Sequence, residues 1–115
     1  MVRQILNEFV KIRGITAAAL VGRDGFVIEI VQITQTDGET LAVLSSDLMR
    51  FFDQWGIPEE MRSPRSVMLE YHTGILIIIP VTGEEYLVIR TETGIQPDIR
   101  SCTFEKIASR FAAVI

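Results

Sequence analysis

Residues Tyr71–Gly94 read YHTGILIIIPVTGEEYLVIRTETG, and the fold turns on how this stretch is read. Ile75–Ile79 is an unbroken apolar run, and Tyr86–Ile89 is a second one beyond the turn Thr82-Gly83-Glu84-Glu85. Successive side chains of a strand point to opposite faces, so a hairpin with one wet face alternates apolar and polar residues. This hairpin does not alternate. Both of its faces must therefore be covered.

The same signature recurs upstream. Ile15–Val21 and Phe26–Val31 read as two strands joined by Gly22-Arg23-Asp24-Gly25, with Asp24-Gly25 supplying the left-handed geometry of a tight turn. Simple alternation puts Phe26, Ile28 and Ile30 on one side and Val27, Glu29 and Val31 on the other, both largely apolar. Val67–Tyr71 is a further strand, joined to Ile75–Val81 by His72-Thr73-Gly74. Pro80 lacks an amide hydrogen and belongs at a strand end or an edge.

Three amphipathic segments are available as covers. In the first, Val2, Ile5, Leu6, Phe9, Val10 and Ile12 share one helical arc, and Gly14 stops the helix. The second follows Thr36, whose spacing to Glu39 fits a capping box; Asp37 fits the cap position equally well. Its stripe Leu41, Leu44, Leu48, Phe51, Phe52 and Trp55 is expected to lie on the sheet. Ala42, Ser45 and Met49 widen that arc beyond what one sheet face needs, which calls for a second contact such as another helix. Ser46, Asp47, Arg50, Asp53 and Gln54 are left for solvent or a ligand. The closing segment, residues 97–115, puts Phe104, Ile107, Ala108, Phe111, Val114 and Ile115 on one face. The expected order is α-β-β-α-β-β-β-α. That is an α+β (broadly α/β) domain over residues 1–115, with a five-stranded antiparallel sheet sandwiched by helices.

Composition narrows the function. At 115 residues and 48% hydrophobic, the chain can bury a core without staples. The net charge of −4, with no run of Lys or Arg, disfavours nucleic acid and anionic membranes as partners. No apolar run approaches the roughly twenty residues of a membrane helix, and Glu8 and Lys11 interrupt the first segment, so no leader or membrane insertion is expected. A single cysteine suits a reducing, cytoplasmic setting.

The inventory of chemistry is short. Phosphate-binding glycine loops and a nucleophile elbow are lacking, and one His with one Cys does not build a zinc site. His72 reads as a solvated strand-end residue and Cys102 as a packing residue. Glu59-Glu60 and Glu84-Glu85 read as solvated turn residues, and Phe51, Phe52 and Trp55 as core. Neither catalysis nor a cofactor or metal is expected.

With these residues in place, the chain resembles the Roadblock dynein-light-chain family, and within it the bacterial gliding-polarity (MglB-like) type. GITAAALVGRDGFVIEI is similar to the family's opening hairpin, LAVLSSDLMRFF to its central helix, and LEYHTGILIIIPVTGEEYLVIRTETG to its later strands; Gly25 and Pro80 are the most telling positions. The resemblance implies a dimer in which second strands pair into one continuous sheet and central helices lie side by side. It also implies regulation of a small Ras-like GTPase, which bacterial members activate without inserting an arginine. A structural dimerisation or scaffold subunit, with no effect on nucleotide turnover, is the alternative. On this frame Phe26, Ile28, Ile30, Ala42, Ser45 and Met49 are the expected homodimer contacts. Asp47, Arg50 and Gln54 are the expected GTPase contacts. Several gliding-polarity members carry a longer C-terminal tail, and no tail-dependent activity is expected here.

Overall fold

The structure is a computed structural model that describes residues 1–54, 58–62, 64–94, 106, 107 and 109–114. Its elements are α1 (Val2–Val10), β1 (Ile15–Gly22), β2 (Val27–Gln32), α2 (Gly38–Gln54), a 3-10 turn (Glu59–Met61), β3 (Val67–Tyr71), β4 (Gly74–Pro80), β5 (Glu85–Thr91) and α3 (Phe111–Val114). The strands form one antiparallel sheet in the order β2-β1-β5-β4-β3. Each hairpin pairs with itself, and β1 joins β5 at the centre. Pro80 ends β4 opposite Tyr86, as its missing donor requires.

Both faces of the sheet are covered. In the β4–β5 pair, Ile77 faces Ile89 and the next position along, Ile78, faces Val88. Ile77 and Ile89 belong to one core with Ile5, Leu6 and Phe9 of α1, Ile107 and Phe111; Ile78 and Val88 belong to a second with Ala42 and Met49 of α2. Period two along a strand thus serves two cores at once, which is why the apolar runs do not alternate. Each fully buried Ile, Leu or Phe contributes about 1.5–3 kcal/mol of transfer free energy, so neither cover is dispensable. The terminal segments meet where the Phe9 and Phe111 rings stack 6.2 Å apart, and Arg110 pairs with Glu8 beside them. Of the expected closing helix, Phe104, Ala108 and Ile115 lie outside the described residues, as do Cys102 and Trp55.

Two local features were not as simple alternation predicts. Ala19 pairs with Ile30 and Leu20 with Glu29, but Val21 pairs with Val27, so Ile28 is the extra residue of a β-bulge. The bulge shifts parity. Val27 joins Ile30 on the α2 face, and Ile28 is left exposed. At the start of α2, Asp37 is the cap. Its carboxylate accepts from the Thr40 backbone N–H at 3.1 Å and from the Thr40 hydroxyl at 2.7 Å. These bonds, the side-chain one first, hold the Asp37 carboxyl below its ordinary value. Thr36 instead donates to the Thr34 carbonyl and is buried.

Candidate partner-binding surface

The helix that was expected to face a mate through its small residues faces the sheet through them. Ala42, Ser45, Ser46 and Met49 are the buried residues of α2. The correction has a steric reason. A helix can approach a sheet closely only where its side chains are short, and here α2 lies against Ala19 and Val21 of β1. An ideal Cβ on Gly25, in the β1–β2 turn at φ +92°, would lie 3.2 Å from the Ser46 hydroxyl oxygen. Ser46 donates to the Val43 carbonyl, whereas the buried Ser45 hydroxyl has no hydrogen-bond partner among the described residues. Ala42, Ser45 and Met49 are therefore core residues of the chain and are not available as helix–helix contacts, and Ser46 is not free for solvent.

The larger apolar residues turn outward instead. Leu44 and Phe51, seven residues apart and so on one line of the helix, are exposed, as is Val43; Phe51 is 45% accessible. Leu41 and Leu48 are half-buried and reach the α2-side core from the flank. Phe52, half-buried, meets Phe51 edge-on at 5.9 Å. The reading of Phe51 as core thus fails. An arc of the opposite chemistry lies beside this line: Asp47, Arg50 and Gln54 are all exposed, and Arg50 pairs with Asp47 at 3.0 Å.

The strand beside this helix is the end of the sheet. Phe26, Ile28 and Ile33, in and around β2, are 72%, 51% and 69% accessible. Ile30 is half-buried under α2, so of the three expected strand contacts only Phe26 and Ile28 are open. An apolar terminal strand is a template for pairing with another chain. Arg3 of α1 reaches this edge, pairing with Glu29 and donating to the Ile30 carbonyl; an exposed pair of this kind contributes little stability. β2 lies under the start of α2, where an ideal Cβ on Gly38 would be 3.2 Å from Ile30. Strand edge and helix face thus each present exposed apolar side chains.

The residues singled out for chemistry are dispersed. His72 is exposed in the β3–β4 turn, and Glu59, Glu60 and Glu84 are exposed in theirs. Glu85 is held by the Thr82 hydroxyl. Among the described residues no group of three His, Cys, Asp or Glu is placed to hold a metal ion, and no helix is long and apolar enough to cross a membrane.

A doubly covered antiparallel sheet with an apolar terminal strand beside an apolar helix face defines an interaction domain of regulator or adaptor type. The Roadblock/LC7 domain profile matches residues 1–91, and the chain belongs to that family. A Roadblock/LC7 domain from Streptomyces avermitilis is similar in structure at 16% identity and a TM-score of 0.80, over 96% of this chain and 93% of that one. The gliding protein MglB of Thermus thermophilus is similar at 15% identity and a TM-score of 0.82, over 96% and 85%. Myxococcus xanthus MglB is similar at 15% identity and a TM-score of 0.81, over 96% and 91%. No functionally curated protein matches the sequence.

Proposed function

We propose that this chain is a cytoplasmic, non-catalytic homodimer that regulates a small Ras-like GTPase. The observation that carries the reading is the outward apolar line of α2, Leu44 and Phe51, beside the terminal strand with Phe26 and Ile28. An isolated domain gains nothing by exposing these side chains. A second copy related by a two-fold axis covers all of them with one self-complementary contact. Pairing β2 with its copy continues the sheet, and the two α2 helices then meet along Leu44 and Phe51.

In such a dimer the polar arcs bearing Asp47, Arg50 and Gln54 remain open beside the helix pair, and we assign them to the GTPase. Arg50 is the anchor of this assignment, because arginine is over-represented at binding hot spots. Family membership supports a regulatory or adaptor role; the choice of a GTPase as target rests on the family resemblance of the sequence. The test is GTP turnover by a small Ras-like GTPase encoded beside this chain, measured with and without it, alongside calorimetry on the GTPase loaded with a non-hydrolysable nucleotide. Binding with altered turnover is the expected result. Binding with unaltered turnover replaces regulation by scaffolding, and no binding removes the GTPase from the proposal.

A further inference from the structure

The outer edge of β2 is not an open template along its whole length. The Ile33 backbone N–H donates to the Thr16 carbonyl at 2.8 Å, so residues 16 and 33 form a hydrogen-bonded pair of the β1–β2 ladder. In an antiparallel ladder such pairs alternate with pairs that exchange no bonds. Carried along the register, the alternation makes Ala18–Val31 and Leu20–Glu29 bonded pairs, and leaves Ala17–Gln32 and Ala19–Ile30 without bonds to each other. The N–H and C=O of Ile30 therefore point away from β1, to the side where a further strand would add.

Both of these groups are already taken. The Ile30 N–H donates to Glu29 Oε1 at 3.2 Å, and the Ile30 carbonyl accepts from Arg3 Nη1 at 3.3 Å. The same two side-chain atoms meet each other at 2.9 Å. Carboxylate and guanidinium thus close a ring over Ile30 and satisfy its backbone as a neighbouring strand would. Arg3 comes from α1, which packs beside β2. Further along the edge, Gln32 also points its backbone outward, while its side chain accepts from the Thr36 N–H.

A second copy joined by a two-fold axis through the sheet runs antiparallel to β2, and residues of equal parity then stand opposite one another. Centred on Ile30, that register has Ile30 exchange both bonds with its own copy. Shifted by two residues, Ile30 exchanges both with Gln32 of the copy. Either way the copy needs the two groups that Arg3 and Glu29 hold.

We propose that the Arg3–Glu29 pair is a removable cap on the β2 edge, which raises the concentration at which two copies join. This rests on the β2 pairing proposed above and adds a barrier to it. Side chains that are 61% and 36% accessible hold such groups weakly, so the cap sets a threshold and does not forbid pairing. Each dimer displaces two caps, which squares the effect. While the chain is alone, the cap shields the edge from other strands.

The test has two arms, each comparing the parent with Arg3→Ala/Glu29→Ala, which leaves the net charge unchanged. In the dilute chain, residue-resolved amide exchange is expected to be several-fold faster at Ile30 in the double variant. In sedimentation velocity over a concentration series, that variant is expected to dimerise about tenfold more tightly, with a Tm close to the parent's. Arg3→Ala alone, which frees only the carbonyl, is expected to give part of that gain and keeps the test valid if the double variant folds poorly. Equal exchange at Ile30 overturns the cap whatever the assembly, and a parent that dimerises all the same leaves the pairing itself standing. Equal dimer constants show that displacing the pair costs nothing, and a weaker dimer makes the pair part of the interface; both overturn the proposal. Faster exchange at Ile30 with no dimer in either chain removes the β2 pairing, and the barrier to it falls with it.

Discussion

Phe51→Ala separates the two faces of α2. A phenylalanine buries about 200 Å² when fully covered, so a mate helix over the 45% that is accessible removes roughly 90 Å² from water. At about 25 cal/mol per Å² this amounts to about 2 kcal/mol per protomer. A two-fold contact counts the substitution twice, and alanine keeps its own methyl, so the dimer should weaken by about 3 kcal/mol, roughly a hundredfold in Kd. The protomer itself loses at least the edge contact with Phe52, about 0.5–1.5 kcal/mol. Met49→Ala is the counterpart on the inner face. At 5% accessibility it should cost the fold about 2–5 kcal/mol and leave the association of the folded chain nearly unchanged. Sedimentation velocity over a concentration series gives the dimer constant, and thermal melts give the fold. A Phe51→Ala chain that dimerises like the parent refutes the outward pairing of α2; so does a parent chain that stays monomeric at high micromolar concentration.

Ser45→Ala should stabilise the chain, because it removes a buried hydroxyl with no hydrogen-bond partner among the described residues, whose desolvation costs about 1–3 kcal/mol; urea denaturation showing a loss of stability would mean that the hydroxyl is satisfied after all. Gly74→Ala should destabilise by at least about 1–3 kcal/mol, since Gly74 sits at φ +139° and an ideal Cβ there would lie 2.0 Å from the Thr91 carbonyl oxygen. A Tm equal to the parent's would contradict the close approach of β4 to β5. Asp37→Ala should lower the Tm at neutral pH by removing the cap of α2. Because hydrogen bonds from Thr40 lower the folded-state pKa of Asp37 below 3.8, its stabilisation is present above that value and fades as pH falls through the lowered one. Parent and variant melts should therefore converge in strong acid; a Tm gap that persists there places the effect elsewhere than in the carboxylate.

The layered fold was legible because it rests on a signal that survives without coordinates. Ile75–Ile79 and Tyr86–Ile89 lack alternation, and only a sheet covered on both faces asks for that. The outward surface was much less legible, for two physical reasons. Parity along β2 is readable only while the ladder is regular, and a bulge at Ile28 is set by the partner strand, which the local sequence does not contain. On α2, hydrophobicity ranks Leu44 and Phe51 above Ala42, Ser45 and Ser46, so a stripe read by hydrophobicity points the helix the wrong way round. The signal that bears on it is size. Ala42, Ser45, Ser46 and Met49 share one arc, three of the four are small, and the opposing strand reads Ala17-Ala18-Ala19. Small residues facing small residues mark a close approach within the chain, and large apolar residues on the opposite arc then need a partner from outside it.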